Sequence, residues 1–350
     1  MTRILVLLIG PSRVASSRVR VLQHLDALSK DLAFRPTILV TGSVHAYHLP
    51  AFAAWLLGAW LKRWRLGVML ARAWFARPFS LVFVHRVLLP PWIIRRLTRL
   101  HIPIIFDFDD ALAIEGFHRT TIAQSRFHAL VQHAAHVTTS TLYNADQVRV
   151  RNPRVSVVVS SVDTRRQPKK RQRESTLPVT IGWIGSPSTA PYLHEIHTPL
   201  ERLAAERKFR MIVVGGDVAW RPLGVEVLHR PWSEATERDD LLTFDIGVMP
   251  LPDNEWTRAK GGFKLIQYMS AGLPVVASPV GVNVHLVEHG TNGYLASTAE
   301  EWFQCLQMLV GSTELRAVMG TAGRTFAEQR YDSSIARKQL HDIMRDLLTT

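Results

Sequence analysis

Two stretches concentrate side chains able to do chemistry. "DFDDA", Asp107 to Ala111, sets three carboxylates within four residues. Such a cluster offers oxygens to a hard cation, a nucleophile, or acceptors for a hydroxyl. "RAKGGFKLIQ", Arg258 to Gln267, sets Arg258, Lys260 and Lys264 around Gly261, Gly262 and Phe263, with Gln267 one helical turn inside. Lysines are compact point charges for phosphate, and a glutamine amide both accepts from and donates to hydroxyls. Two glycine turns add to the second set: "IGWIGSPST", with Gly185 and Ser186, and "VVGGDV", with Gly215, Gly216 and Asp217. A glycine turn that leads from a strand into a helix suits a phosphate, because backbone N–H groups and the helix dipole converge there. Neither turn is a Walker loop or a full dinucleotide fingerprint.

The elements that must hold these groups read as alternating strands and helices. Short apolar runs at "ILVLLIG", "PTILVTG", "SLVFVH", "PIIFDFDD", "HVTTST" and "VSVVVSS" form one series of strand candidates. A second series comprises "PVTIGWIG", "FRMIVVGG", "VEVLH", "FDIGVMP", "LPVVASP" and "NGYLA". Between them lies "DTRRQPKKRQREST", residues 163 to 176, six basic residues with almost no apolar content, expected as a linker or exposed loop. The chain of 350 residues suits two domains of roughly 150 residues each. The expectation is α/β: two doubly wound Rossmann-like domains facing a central cleft, residues 1–165 and 176–330, with a C-terminal helix at 331–350 crossing back to the first.

Composition narrows the partners. Hydrophobic residues at 47% and charged residues at 20% describe a globular chain. The single cysteine, Cys305, excludes an internal disulfide and a multi-cysteine zinc site, and a reducing cytoplasm is the expected compartment. "ILVLLIG" is too short for the apolar core of a signal peptide and reads as a first strand. Net charge is +13, and residues 1 to 105 carry all of it, with fifteen Lys and Arg against Asp26 and Asp31. A basic half beside a neutral half points to a polyanionic partner, membrane or nucleic acid. The segment from Phe52 to Phe79 favours an anionic membrane surface over nucleic acid. On a helical wheel Lys62, Arg63, Arg65, Arg72 and Arg77 share one half, opposite Leu57, Trp60, Trp64, Val68 and Phe75. Its uncharged stretch is shorter than the roughly 20 residues a span requires, so it would lie on a bilayer, or pack into a core with its arginines reaching solvent.

From Asp245 to Gly293 the order of motifs resembles the C-terminal domain of GT-B glycosyltransferases of the large retaining family 4, the glycosyl transferases group 1. The elements are "DIGVMP", the Gly261-Gly262-Phe263 loop, a helix over Lys264 to Ser270, "AGLPVVA" at Ala271 to Ala277, and "GTNG" at Gly290 to Gly293. The resemblance extends more weakly through "SSRVR", "PIIFDFDDA" and "RTFAEQRYDSSIARKQL". It implies a hexosyltransferase-like enzyme that moves a sugar from a nucleotide-sugar donor to a lipid-linked or polysaccharide acceptor, retaining configuration and working without a bound metal or other cofactor. It also implies a donor site of Gly185, Ser186, Gly216, Arg258, Lys260, Gly262, Phe263, Lys264 and Gln267, with Lys264 stabilising the leaving diphosphate. The family places glutamates where this chain has Ala259 and Gln267, one for the donor sugar and one for the ribose. Asp253 or Glu255 is a candidate to replace the first, at a spacing other than the family's.

For the aspartate cluster three readings compete. A metal-binding "DxD" belongs to a different glycosyltransferase architecture. A phosphatase-type "DxDx[TV]" would follow the first strand and needs Thr or Val where Ala111 stands. The third reading assigns Asp109 and Asp110 to the acceptor side, orienting a hydroxyl; capping of a following helix by either is the purely structural alternative. His85 and Arg86 close the preceding strand, and Arg18 and Arg20 follow the first strand as phosphate candidates. Two other functions fit the same pattern: a GT-B nucleotide-sugar epimerase, and a non-catalytic membrane-associated binding protein.

Overall fold

The computed structural model describes residues 2–41, 79–114, 120–168, 178–216 and 218–349. The membrane-facing reading of residues 52–78 and the end of the basic stretch, residues 169–176, lie outside the described residues. The chain divides into two compact units, Met1–Val159 with Ala336–Thr350, and Ser160–Ile335.

In the first unit the strands are β1 (Thr2–Leu8), β2 (Phe34–Val40), β3 (Leu81–His85), β4 (Ile104–Phe108), β5 (His136–Thr139) and β6 (Val155–Val157), in the order β2-β1-β3-β4-β5-β6, and every pair is parallel. Parallel sheets are buried on both faces, so their strands read as continuous apolar runs, and alternation divides each strand between two cores. Ile104, Phe106 and Phe108 join the helices Pro91–Arg99, Thr121–His133 and Leu142–Arg149 in one core. Ile4, Val6, Leu8 and Ile105 face the helical segment Ala15–Asp31 and, through Ala336, Leu340 and Met344, the last helix, Ser333–Thr349. Thr120 and Thr141 cap two of these helices, accepting from Ala123 N–H and Asn144 N–H.

The second unit repeats the plan with β7 (Val179–Ile184), β8 (Phe209–Val214), β9 (Glu226–Arg230), β10 (Ile246–Met249), β11 (Val275–Ala277) and β12 (Gly293–Leu295), ordered β12-β11-β10-β7-β8-β9 and again all parallel. All twelve apolar runs picked out above form strands. On one face Ile181 and Trp183 pack with Leu200, Leu203, Leu306 and Leu309; on the other Ile184, Ile212 and Val214 pack with Leu265, Ile266 and Phe326.

The basic stretch departs from the expected exposed loop. Thr164 and Gln167 are buried. Arg324, in the helix Thr313–Arg330, donates to the carbonyls of Thr164, Gln167 and Ser270, and Asp332 accepts from the Thr164 hydroxyl and backbone N–H. Composition concealed this packing because its partners are carbonyl oxygens met by one guanidinium, not apolar side chains.

Candidate functional site

Each unit gathers its chemistry at the carboxyl end of its sheet, where a doubly wound fold binds ligands. In the first unit the β-ladder aligns His85 of β3 with Asp107 of β4 and Thr138 of β5. Asp107 is wholly buried and takes four hydrogen bonds: from Arg20 Nε at 3.0 Å and Nη2 at 2.5 Å, Thr138 Oγ1 at 2.6 Å and His85 Nδ1 at 2.7 Å. Burial opposes its ionisation, but the Arg20 guanidinium and the bonds from His85 and Arg20 prevail and hold the carboxyl well below the usual range. An ionised Asp107 can only accept, so Nδ1 of His85 carries the proton. The other ring nitrogen, Nε2, lies 2.7 Å from Ser16 Oγ. Ser16, His85 and Asp107 thus form a chain of groups able to pass one proton, with partly exposed Ser16 at its outer end.

Asp109 and Asp110 do not join Asp107. Arg86 Nη1 donates to Asp109 Oδ1 at 2.9 Å and to Asp110 Oδ2 at 3.4 Å, and both Arg86 and Asp110 hold a positive φ. Burial works against the Asp109 carboxylate, yet the charges of Arg86, His85 and Arg20 and a bond from Ser16 keep it below the usual range. Helix capping by either aspartate is corrected: the next described helix is capped by Thr120. Arg20 is corrected as a phosphate candidate, since its guanidinium is spent on Asp107 and the Val158 carbonyl. Among the described residues no group of three His, Cys, Asp or Glu is placed to hold a metal ion.

In the second unit the helix Phe263–Ser270 starts after Gly262, which has φ +64°, a conformation L side chains rarely adopt; a Cβ there would lie 2.3 Å from Leu286 Cδ1. Tyr268 fixes the helix to the sheet, its hydroxyl accepting from Ile184 N–H at 3.0 Å and donating to the Val248 carbonyl at 3.4 Å. Burial pushes that phenol up, so it stays protonated. The anchored first turn carries Lys264 to the end of β7. Its Nζ is 4.5 Å from the centroid of the Trp183 ring and 3.3 Å from Thr189 Oγ1, and a Cβ on Gly185 would lie 2.8 Å from its Cε. Lys260 Nζ is 6.0 Å from the ring centroids of both Tyr192 and Trp256. Aromatic faces attract cations, so both ammonium groups lie against rings. Gly185 and Gly215 meet back to back at the ends of β7 and β8: a Cβ on Gly215 would sit 2.3 Å from the Gly185 carbonyl oxygen.

Gly185, Ser186, Gly216, Lys260, Gly262, Phe263, Lys264 and Gln267 all belong to this unit. Lys264 meets the Gly185 turn through Thr189, which closes the Ser186 turn with a backbone bond of 2.9 Å. Three details differ from expectation. The Gly185 N–H donates to the Val214 carbonyl and is not offered to a phosphate. The segment after Ser186 begins as a 3₁₀ turn, Ala190–Ile196, and becomes α-helical only at His197–Glu206. Arg258 makes a two-pronged pair with Asp253, at 2.6 and 3.0 Å, so each occupies the other. Gln267 is buried inside the helix, and Ala259 is wholly buried. The sequence reading missed Ser16, Trp183 and Thr189; Ser16 lies in the "SSRVR" motif it had marked for its arginines.

Two parallel six-stranded sheets, each flanked by helices, define a GT-B fold. Solved structures of similar fold include sucrose-phosphate synthase from Thermosynechococcus elongatus (TM-score 0.75, 14% identity, covering 100% of both chains). HepE of Anabaena in complex with UDP matches with TM-score 0.68 and 15% identity over 99% of this chain and 100% of that one. The lipopolysaccharide outer core galactosyltransferase WaaB matches with TM-score 0.66 and 12% identity over 99% of each. No curated protein matches the chain in sequence. Residues 179–312 match the family described as Glycosyl transferases group 1. That match lies within the second unit and, with the GT-B fold, supports a transferase enzyme.

Proposed function

We propose that the second unit binds a nucleotide-sugar donor and that the first unit holds the acceptor. The carrying observation is Lys264, presented by a left-handed glycine at a helix start, clamped through Tyr268, and laid across Trp183 toward the Gly185 and Ser186 turn. A departing diphosphate needs fixed positive charge where its own charge develops, and Lys264 with Lys260 supplies that charge. The solved complexes of HepE with UDP and with UDP-glucose support a uridine nucleotide as the first donor to try. Buried Gln267 is the ribose contact, through neutral hydrogen bonds.

In the first unit Ser16, backed by His85 and Asp107, with Asp109 beside it, orients the acceptor hydroxyl. The acceptor is a lipid-linked or envelope glycan met at an anionic membrane surface on the cytoplasmic side, a reading supported by the basic first 105 residues. Transfer retains configuration and needs no metal, the lysines meeting the leaving group. Thermal-shift screening of UDP-, GDP- and ADP-sugars tests the donor: stabilisation by one nucleotide series is expected, and none by any series refutes the donor site. With donor and acceptor in hand, turnover should survive excess chelator, and Asp109→Asn should impair acceptor use more than donor binding.

A further inference from the structure

One arrangement in the first unit exceeds what orienting a hydroxyl requires. Ser16 Oγ lies 2.7 Å from His85 Nε2, and His85 Nδ1 lies 2.7 Å from the Asp107 carboxylate. A hydroxyl, an imidazole and a buried carboxylate linked in that order are the parts of a nucleophilic serine, which is recognised by geometry and not by sequence position. The ionised carboxylate keeps the proton on Nδ1, so the Nε2 lone pair faces the hydroxyl. Separate elements hold the parts. His85 and Asp107 are in register on the adjacent strands β3 and β4, and both are wholly buried. Ser16 and Arg20 are four residues apart in the helical segment Ala15–Asp31, whose Arg18–Leu22 turn is a π-helix. One stretch of helix thereby sets Ser16 against the imidazole and Arg20 against the carboxylate, and π turns recur at functional sites. Ser16 itself is partly exposed.

Two acceptors flank the single Ser16 proton: Nε2 of His85 and the Asp109 carboxylate, which takes a bond from Ser16. Loss of the proton to either leaves an oxygen nucleophile. An imidazolium formed at His85 would stand between Asp107 and, across Ser16, Asp109, both of them carboxylates. The helical segment begins at Ala15, and the Arg18 N–H donates to the Val14 carbonyl at 3.1 Å. N–H groups of a first turn have no partner within their own helix, so that of Ser17, one residue on, is a donor for an oxyanion built on Ser16. The Asp109 carboxylate beside Ser16 repels a phosphate ester, which is an anion. A neutral carboxylic ester meets no such barrier.

We propose that Ser16 is the nucleophile of a second activity, hydrolysis of carboxylic esters, with His85 as its base. Oγ bonds to the acyl carbon as the ester C–O bond breaks, and the Oγ proton passes through Nε2 to the departing alkoxide. Water then bonds to the acyl carbon, the Oγ–acyl bond breaks, and a proton from that water returns through Nε2 to Ser16. The activity goes beyond the glycosyl transfer proposed above and does not depend on it. The test treats the full chain with an alkyl fluorophosphonate ester, which Oγ attacks at phosphorus with loss of fluoride, and separately with p-nitrophenyl acetate. Peptide mass spectrometry should find Ser16 modified about tenfold or more faster than exposed Ser125, and no faster than Ser125 in concentrated urea. The acetate ester should release a burst of nitrophenol stoichiometric with the chain, absent from Ser16→Ala. His85→Gln should slow labelling about a hundredfold or more, the usual worth of a general base. Asp107→Asn, whose amide donates to Nδ1, should move the ring proton to Nε2 in nitrogen NMR and slow labelling likewise. Circular dichroism and nucleotide affinity, both expected to be unchanged in folded variants, separate loss of this site from loss of the fold or of the donor site. The proposal is overturned if folded wild type is not modified at Ser16, or if Ser125 or the unfolded chain reacts as fast. It is equally overturned if Ser16→Ala keeps the burst, or if folded His85→Gln or Asp107→Asn reacts as wild type. The urea comparison and Ser16→Ala decide the outcome without the two buried variants.

Discussion

The two units place their polar chemistry at the same point of the same topology and use it in opposite ways. In the first, charge is saturated: Asp107 takes four hydrogen bonds, Arg20 is bound on three nitrogens, and Arg86 spans Asp109 and Asp110. In the second, Lys260 and Lys264 rest on aromatic faces, and the turns before them are built from glycine. A saturated network is rigid and costs several kcal/mol to break, because removing one partner strands the other in a low-dielectric interior. A ring face does not neutralise a cation, so its charge still attracts an incoming anion. The first arrangement suits positioning of a neutral hydroxyl, the second capture of a diphosphate.

The largest contrast is expected between Asp107→Ala and Lys264→Ala. The former leaves Arg20 buried without its carboxylate and should destabilise the protein by about 3–5 kcal/mol in denaturant unfolding. The latter should change stability by less than about 1 kcal/mol. Equal losses would show that the two sites are not built differently.

Acid should separate the units next. His24, packed beneath the first site, is held at about 4, chiefly by burial and then by the charges of Arg20 and Arg337. An unfolded histidine titrates near about 6.5, so between those values the unfolded chain takes up a proton that the folded chain refuses. Stability should therefore fall as pH drops from about 6.5 to about 4, by on the order of 3 kcal/mol. Asp107 extends the loss below the ordinary aspartate range, since its folded carboxyl is depressed. His24→Gln should flatten the upper part of that profile; an unchanged profile would remove His24 as its source.

Gly262→Ala combines a left-handed backbone with a Cβ 2.3 Å from Leu286 Cδ1, and should cost about 1–3 kcal/mol while weakening nucleotide binding by shifting Lys264. An alanine variant of wild-type stability and affinity would detach that turn from the site. The smallest effect belongs to Asp253→Asn. Its exposed pair with Arg258 should leave the unfolding midpoint unchanged, and any gain in nucleotide affinity would reveal Arg258 turning to the diphosphate.

The same contrast explains what the sequence made legible. All twelve strands were readable because parallel strands, buried on both faces, are apolar throughout. The lysine and glycine turn was readable because its parts lie within ten residues and its order is a family's. The saturated network was not, because Arg20 and Asp107 are 87 residues apart and His85 and Asp107 22 apart, joined only by sheet register. "DFDDA" looks like one cluster, yet the pleat sends Asp107 into the interior while Asp109, beyond the strand end, meets Arg86. Thr164 and Gln167 were hidden by basic neighbours that masked their packing against Arg324.

The most direct test of the account is calorimetric titration of UDP and UDP-glucose, or of whichever nucleotide series stabilises the protein, into wild type, Lys264→Ala and Asp107→Asn. Losing one charge-assisted contact to phosphate should weaken binding about tenfold or more in Lys264→Ala. The folded fraction of Asp107→Asn should bind as wild type. Undiminished affinity in Lys264→Ala, or a loss confined to Asp107→Asn, would contradict the assignment of the donor to the second unit.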